Sequence, residues 1–520
     1  MKITIKFGNW TWLQRKKILA VSVGMLWLCL LAASGRAQTF TNLHCFNATS
    51  GAKGYDGTNS DGEYEFLGLL LSGNTLYGAA QCGGSAGWGT VFAINTDGTG
   101  FTNLHSFAAT SGTNGTYGAG TNREGAWPNG GLILSGNTLY GTAQAGGSAG
   151  WGTVIAVNTD GTGFANLHNF AATSGSAGGY GANSDGAYPF SRLLLSGNTL
   201  YGTAQCGGTA GWGTVFAVNT DGTGFTNLHN FTATSGSAGG DGVNSDGANP
   251  TCGLVLSGST LYGTAIQGGS YGWGTVFAVN TDGTGFRTVH SFSAPSGSGG
   301  YYGVNSDGGY PWDTLVLSGS TLYGTAAAAG SSGWGTVFAV STNGTGFRTL
   351  HSFAGGNDGA SPHAGLILSG TTLYGTTYRG GSSGLGTVFA VNTNGSGFTT
   401  LHGFAGAPKD GANPDAGLIL SGTTLYGATC YGGTYSDGTL FRLSYPSPQL
   451  TITPAGTSVN LTWPSALAGF SYSGCTLQCA PNLGSTAVWC AVSCTNAVVN
   501  GQNIVTNPIT GSQMFFRLCQ

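Results

Sequence analysis

A seven-fold repetition constrains this chain more than any other feature. The tetrapeptide Thr-Leu-Tyr-Gly recurs with its Tyr at Tyr77, Tyr140, Tyr201, Tyr262, Tyr323, Tyr374 and Tyr426, and a fixed set of flanking residues travels with each copy. A second signature, Leu-His-x-Phe or Val-His-x-Phe, places His44, His105, His168, His229, His290, His351 and His402 at intervals of 61, 63, 61, 61, 61 and 51 residues. Self-similarity at a period of this size means that each unit buries its apolar face against its neighbours, so the chain is an array of like units.

Alternation and turn signals give the unit its structure. In the second copy, 131–135 reads as a short apolar strand, Gly136-Asn137 as a two-residue hairpin turn, and 138–143 as the partner strand. A Gly-rich loop, 144–150, leads to a third strand, 153–158, and Asp160-Gly161 turns the chain into a fourth, 164–170. Four short antiparallel strands repeated seven times predict an all-β fold, a seven-bladed β-propeller of four-stranded blades. The array begins on a fourth strand, 40–46, and ends on a third, 438–443. Seven complete units therefore require the N-terminal strand to join the last blade, which leaves no free sheet edge. A stacked solenoid would need neither the count of seven nor that offset.

Composition separates this array from the ends of the chain. Of 520 residues, 98 are Gly and only 6% are charged, while 11% are aromatic; a turn-rich β protein fits these values better than disorder does. Residues 1–37 read as a signal peptide, with Lys2, Lys6, Arg15, Lys16 and Lys17 before an apolar run at 18–33 and small residues at Gly35 and Ala37. The run is short for a membrane span, so export with cleavage before Gln38 is expected, to the periplasm, the cell surface or the medium, with no span afterwards. Beyond residue 37, nine basic residues face 18 acidic ones, a net charge of −9. No basic stripe is present, which argues against nucleic-acid binding.

The array fills 38–445. Pro446-Ser447-Pro448 then marks a linker, 446–448, and residues 449–520 lose the repeat and show alternating strands such as Val459-Asn460-Leu461-Thr462-Trp463. A small β-sandwich of the fibronectin type III sort is expected there. Its Cys475, Cys479, Cys490 and Cys494 form C-x₃-C-x₁₀-C-x₃-C. Nested disulfides, Cys479 with Cys490 and Cys475 with Cys494, follow if the two halves pair antiparallel, and export favours them over the alternatives of a Cys₄ zinc site or free thiols.

The combination Ser-Gly-Asn-Thr-Leu-Tyr-Gly, Gly-Trp-Gly-Thr-Val-Phe-Ala, Thr-Asp-Gly-Thr-Gly-Phe and Leu-His-x-Phe resembles the GloVer tandem repeat of exported bacterial proteins of the Verrucomicrobia type. The resemblance covers the whole array and implies a surface or secreted protein with no assigned reaction. A weaker resemblance is to kelch-type propeller blades, on Gly146-Gly147 after the second strand and Phe164 at the start of the fourth.

Candidate chemistry falls in three groups. An acidic residue followed by Gly precedes each first strand: Asp61, Glu124, Asp185, Asp246, Asp307, Asp358 and Asp410. Near a central channel such carboxylates would hold Ca²⁺ or sugar hydroxyls; the plainer reading is a turn in which the acid caps backbone N–H groups. Trp88, Trp151, Trp212, Trp273 and Trp334 recur in the loops between second and third strands, where they pack against the next unit or stack on a ligand. Aromatics outside the consensus, including Trp127, Tyr301, Tyr302 and Trp312, are the better ligand candidates because they differ between copies. The histidines read as hydrogen-bonded or packing residues, one per unit and too far apart to share a metal. No nucleophile elbow, zinc-protease motif or phosphate loop is present, so a non-enzymatic binding module, with polysaccharide or cell-surface components as partners, is expected. The alternatives are a polysaccharide-active enzyme using Asp185 or Asp246, and a structural envelope or matrix component.

Overall fold

In the computed structural model, residues 38–50, 57–64, 68–112, 120–174, 181–235, 242–297, 303–446, 448–467, 470–472, 476–480, 488–492, 497–499, 501–508 and 514–519 are described. The signal peptide expected at 1–37, and Tyr301, Tyr302, Cys475 and Cys494, lie outside them. Every regular element among the described residues is a β-strand.

Each repeat forms one antiparallel sheet. The first contains Leu70–Ser72, Thr75–Ala80, Thr90–Asn95 and Thr102–Ser106, paired in chain order. Five more follow the same plan, the third with an extra strand, Ala187–Pro189, beside Thr199–Cys206. The seventh is made from both ends of the array. Ile419–Ser421, Thr424–Thr429 and Thr439–Ser444 supply three strands, and Thr39–Cys45 supplies the fourth, with Phe40 opposite Leu443 and Asn42 opposite Phe441.

The repeated residues explain the sheet. Ser135 pairs with Thr138 across the two-residue turn, where Gly136 takes a positive φ of 58° that a side chain would resist. The Gly of Thr-Leu-Tyr-Gly lies opposite the Phe of the third strand: a Cβ at Gly78 would come within 2.4 Å of the Phe92 ring, and one at Gly202 within 2.6 Å of Phe216. The Tyr before it enters the core between sheets, as Tyr374 does with no exposed surface.

Apolar clusters join each sheet to the next all the way round. Tyr140 and Val154 of the second sheet pack with Leu193 and Phe216 of the third. Tyr426 and Leu440 of the seventh pack with Leu69 and Phe92 of the first, so the array closes on itself. The first strands surround a central cavity of about 680 Å³ walled mainly by Leu, Ile, Val and Gly.

Beyond residue 448, Thr451–Ala455, Ser458–Pro464, Gln502–Pro508 and Ala497–Val499 form one antiparallel sheet. Thr476–Ala480, Phe515–Cys519 and Cys490–Ala491 form another. Val459, Leu461, Trp463 and Val505 of the first meet Leu477 and Phe516 of the second in one core. Tyr472 anchors this part to the array: its hydroxyl donates to the Pro446 carbonyl at 2.6 Å, and its ring packs with Tyr374 and Tyr445. Cys479 lies opposite Cys490 as the nested pairing requires, but the expected disulfide between them is not formed.

The seam that closes the ring differs from the other six. Elsewhere a Trp, or Leu385 in the sixth sheet, lies against an Ala or Gly at the entry of the next sheet, as Trp88 does against Ala126 and Trp273 against Gly309. At the closing seam Asp437 stands in the Trp position and Glu63 in the Ala position, 8% and 2% exposed. Burial, reinforced by the charge of Asp437, raises the Glu63 carboxyl from 4.5 to about 7. A carboxyl raised on folding favours the native state fully below its unfolded value, and this advantage is lost as pH rises through the folded one. The melting temperature should therefore fall between about pH 5 and about pH 8, and Glu63→Ala should reduce that fall. An equal fall in both proteins, followed by calorimetry, would rule out Glu63 as its source.

Candidate functional site

Two sets of residues gather on the side of the ring where one sheet leads to the next. The first is a clasp repeated seven times. The pairing of third and fourth strands slips by one residue beside each His, as between Val91/His105 and Phe92/Asn103. Such a bulge re-aims the side chain, and here the imidazole reaches the entry of the following sheet. His44 Nε2 lies 2.8 Å from Asp61, His168 2.9 Å from Asp185, His229 3.0 Å from Asp246 and His290 3.1 Å from Asp307. His105 lies 3.3 Å from Glu124, His351 3.2 Å from Asp358 and His402 3.1 Å from Asp410.

Each imidazole also stacks on the Phe that precedes the next sheet's fourth strand: His105 on Phe164 at 3.8 Å, His229 on Phe286 at 3.5 Å and His351 on Phe398 at 3.6 Å between ring centres. His402 of the sixth sheet stacks on Phe40 of the N-terminal strand at 4.0 Å.

The seven acids are thus brought to the histidines, and none lines the central cavity. Each also accepts the N–H of the residue three after its His, for example Ala171 to Asp185 at 3.2 Å and Thr232 to Asp246 at 3.0 Å. For Asp246 burial pushes the carboxyl up, but the combined bonds from His229 and Thr232 outweigh it and hold the group below its usual 3.8. His105 is held below the ordinary imidazole range by burial, against the pull of Glu124. The sequence showed both sets but not their pairing, because the spacing from His to acid changes from 17 residues at His44 to 7 at His351. The available signal was the count, one acid per histidine even where the loop shortens.

The second set lies at the third residue after each acid, which takes a positive φ of 52° to 56° in every copy: Tyr64, Trp127, Tyr188, Asn249, Tyr310, Ser361 and Asn413. Left-handed backbone at Trp and Tyr is strained. Here it is held from both sides: Trp127 N–H donates to the Trp88 carbonyl at 3.0 Å, and the Trp127 carbonyl accepts Gln144 N–H at 2.9 Å. Trp127 and Trp88 rings meet at 5.6 Å, Tyr188 and Trp151 at 5.0 Å, Tyr310 and Trp273 at 4.6 Å. The recurrent tryptophans therefore pack between sheets and support this variable set.

Between the fifth and sixth sheets the variation opens a pocket of about 210 Å³, lined by Tyr310, Trp312, Ser361, His363 and Arg379 among others. His363 is stacked between Trp312 at 5.6 Å and Tyr378 at 4.9 Å, and its Nδ1 lies 3.0 Å from Asp415 Oδ1. Trp312 stands out in the sequence as a departure from the repeat; His363, Tyr378 and Arg379 are equally unrepeated, but nothing along the chain groups them with it. No cluster of three or more metal-ligating side chains occurs among the described residues, and no helix there is long and apolar enough to cross a membrane.

Fold and clasp together define an all-β repeat protein of four-stranded antiparallel sheets. The Gloeobacter/Verrucomicrobia repeat model matches residues 116–242, 179–305 and 300–469, and the chain belongs to that family. No curated protein matches it. Among solved structures it is similar to an oligogalacturonate lyase in complex with manganese, at 11% identity and a TM-score of 0.44 over 80% of this chain and 99% of that one. It is also similar to the oligogalacturonate lyase of Vibrio parahaemolyticus, at 8% identity and 0.42 over 80% and 99%. A third likeness is to a putative 6-phosphogluconolactonase of Bacteroides fragilis, at 14% identity and 0.40 over 91% and 100%.

The clasp makes a stability prediction. Replacing Asp246 by Ala leaves the Thr232 N–H and the His229 ring without their buried acceptor and should cost about 2–4 kcal/mol in urea unfolding at neutral pH. Because the Asp246 carboxyl is lowered on folding, its contribution is present above 3.8 and is lost as pH falls through the folded value. The difference between the two proteins should shrink on acidification; a difference independent of pH would contradict the ionic role.

Proposed function

We propose that this chain is an exported, non-enzymatic binding module that takes carbohydrate at the pocket between the fifth and sixth sheets. In this reading the seven sheets are the blades of a closed seven-bladed β-propeller, and residues 449–520 are a small β-sandwich appended to it. Membership of a repeat family found in exported proteins supports export, as does the basic and apolar leader read in the sequence.

One observation carries the binding assignment. At a single point on a repetitive ring, aromatic faces from Tyr310 and Trp312 adjoin hydrogen-bonding groups from Ser361, His363 and Arg379 in one concavity. Flat apolar faces beside convergent donors suit a sugar ring, which offers C–H groups on its face and hydroxyls around its rim. The repeat does not fix Trp312 or Arg379: Trp312 aligns with Asn129, Phe190, Thr251 and Asp415 in other copies, and Arg379 with Cys82 and Ala145. Asp185 and Asp246, the carboxylates an enzymatic reading would use, are committed to their histidines and to backbone N–H groups.

A screen against glycans and cell-wall polymers tests this reading. Wild type should bind at least one glycan without releasing product, and Trp312→Ala should weaken that binding by about tenfold or more with the fold intact. Absence of glycan binding, or equal affinity in the variant, would overturn the assignment of the pocket.

A further inference from the structure

The central cavity carries a feature that neither the repeat nor the proposed pocket uses. The residue two positions before each first strand forms an inner ring: Gly68, Gly131, Arg192, Gly253, Thr314, Gly365 and Gly417. Neighbouring members come close. A Cβ at Gly253 would lie 2.5 Å from Thr314 Oγ1, one at Gly365 3.0 Å from the Thr314 carbonyl, and one at Gly68 3.1 Å from the Gly417 carbonyl. Five of the seven copies carry Gly here. The third copy places an arginine there, and its exposed side chain lines the cavity.

The Arg192 guanidinium makes no hydrogen bond and no ion pair with the described residues. Asp313, the other charged group in the cavity wall, is already engaged. Its carboxylate accepts the Gly365 N–H at 2.6 Å, the Thr314 N–H at 2.5 Å and the Thr314 hydroxyl at 3.0 Å. The remainder of the wall is aliphatic side chains, Gly and Thr314. Although the side chain is open to the cavity, enclosure by the surrounding walls strips it of bulk water and holds Arg192 below the ordinary arginine range, against the attraction of Asp313, yet arginine keeps its proton in proteins. A fixed cation with free donors, inside a space of about 680 Å³, is a preformed receptor for an anion. That volume lies within the range of ordinary small-molecule sites.

We infer that the central cavity is a ligand site in which Arg192 pairs with the carboxylate of a small organic acid. The planar guanidinium presents two parallel donors that match the two oxygens of a carboxylate. A single fixed cation with Asp313 in the same wall favours one negative charge over two, which selects against the phosphate dianion. The aliphatic walls accept the hydrocarbon body of such an acid. This site is separate from the pocket proposed for carbohydrate, and the two assignments stand or fall separately.

Calorimetric titration of the whole chain with acetate, a hexuronate, inorganic phosphate and an uncharged hexose tests the inference. Wild type should bind a carboxylate at one site, more tightly than phosphate. Arg192→Gln should weaken that binding by at least about tenfold at an unchanged melting temperature. Arg192→Lys, which keeps the charge but loses the fork, should fall between them. Asp313→Asn, which keeps an acceptor for the Gly365 N–H and removes the opposing charge, should strengthen it. Trp312→Ala should leave it unchanged. Carboxylate affinity equal in wild type and Arg192→Gln, tighter binding of phosphate, or no carboxylate binding by wild type would each overturn the assignment.

Discussion

An imidazole held between the carboxylate and the Phe of the next sheet is the contact on which the ring depends. It does three things at once. The His–acid bond satisfies a buried carboxylate that burial alone would neutralise, the acid in turn holds the chain where it leaves the fourth strand, and the stack fixes one sheet against its neighbour. A hydrogen bond to a charged group contributes about 1.5–3 kcal/mol and an aromatic stack about 0.5–1.5 kcal/mol, so each clasp is comparable to burial of a large side chain. Because every clasp joins one sheet to the following one, the set has no natural end until His402 meets Phe40. The N-terminal strand thereby becomes the last strand of the last sheet.

Much of this was legible in the sequence, for physical reasons. In the second copy the strands expected at 138–143 and 153–158 coincide with Thr138–Ala143 and Thr153–Asn158, because Val, Ile, Tyr and Thr alternate between well-marked Gly turns. The first and fourth strands are shorter than expected, Ile133–Ser135 and Ala165–Asn169. The first has three residues even where Arg192 or Thr314 replaces the glycine before it, and the fourth begins after Phe164, which stacks on His105. The offset between the ends correctly implied that Thr39–Cys45 pairs with Thr439–Ser444. The partnership of His with acid was not legible: it crosses a loop of variable length, and periodicity reports only what lies at constant spacing.

The same limit governs the functional residues. What recurs here is committed to holding the ring. The seven acids serve the clasp, the recurrent tryptophans pack between sheets, and the Tyr of Thr-Leu-Tyr-Gly is core. The strained residue three positions after each acid varies from Trp to Ser within one backbone conformation, so the scaffold tolerates changes of side chain at this position. Arg192, Trp312, His363 and Arg379 are each a single departure from the repeat. Which departures share a pocket follows from how neighbouring sheets pack and is invisible along the chain.

Closure itself is open to direct measurement by native-state hydrogen exchange, which reports the free energy of opening strand by strand. If Thr39–Cys45 completes the last sheet, its amides should exchange through the same global opening as those of Thr214–Asn219 on the opposite side of the ring. Fast, independent exchange of Thr39–Cys45, with Thr439–Ser444 behaving as an unprotected edge, would contradict a closed ring.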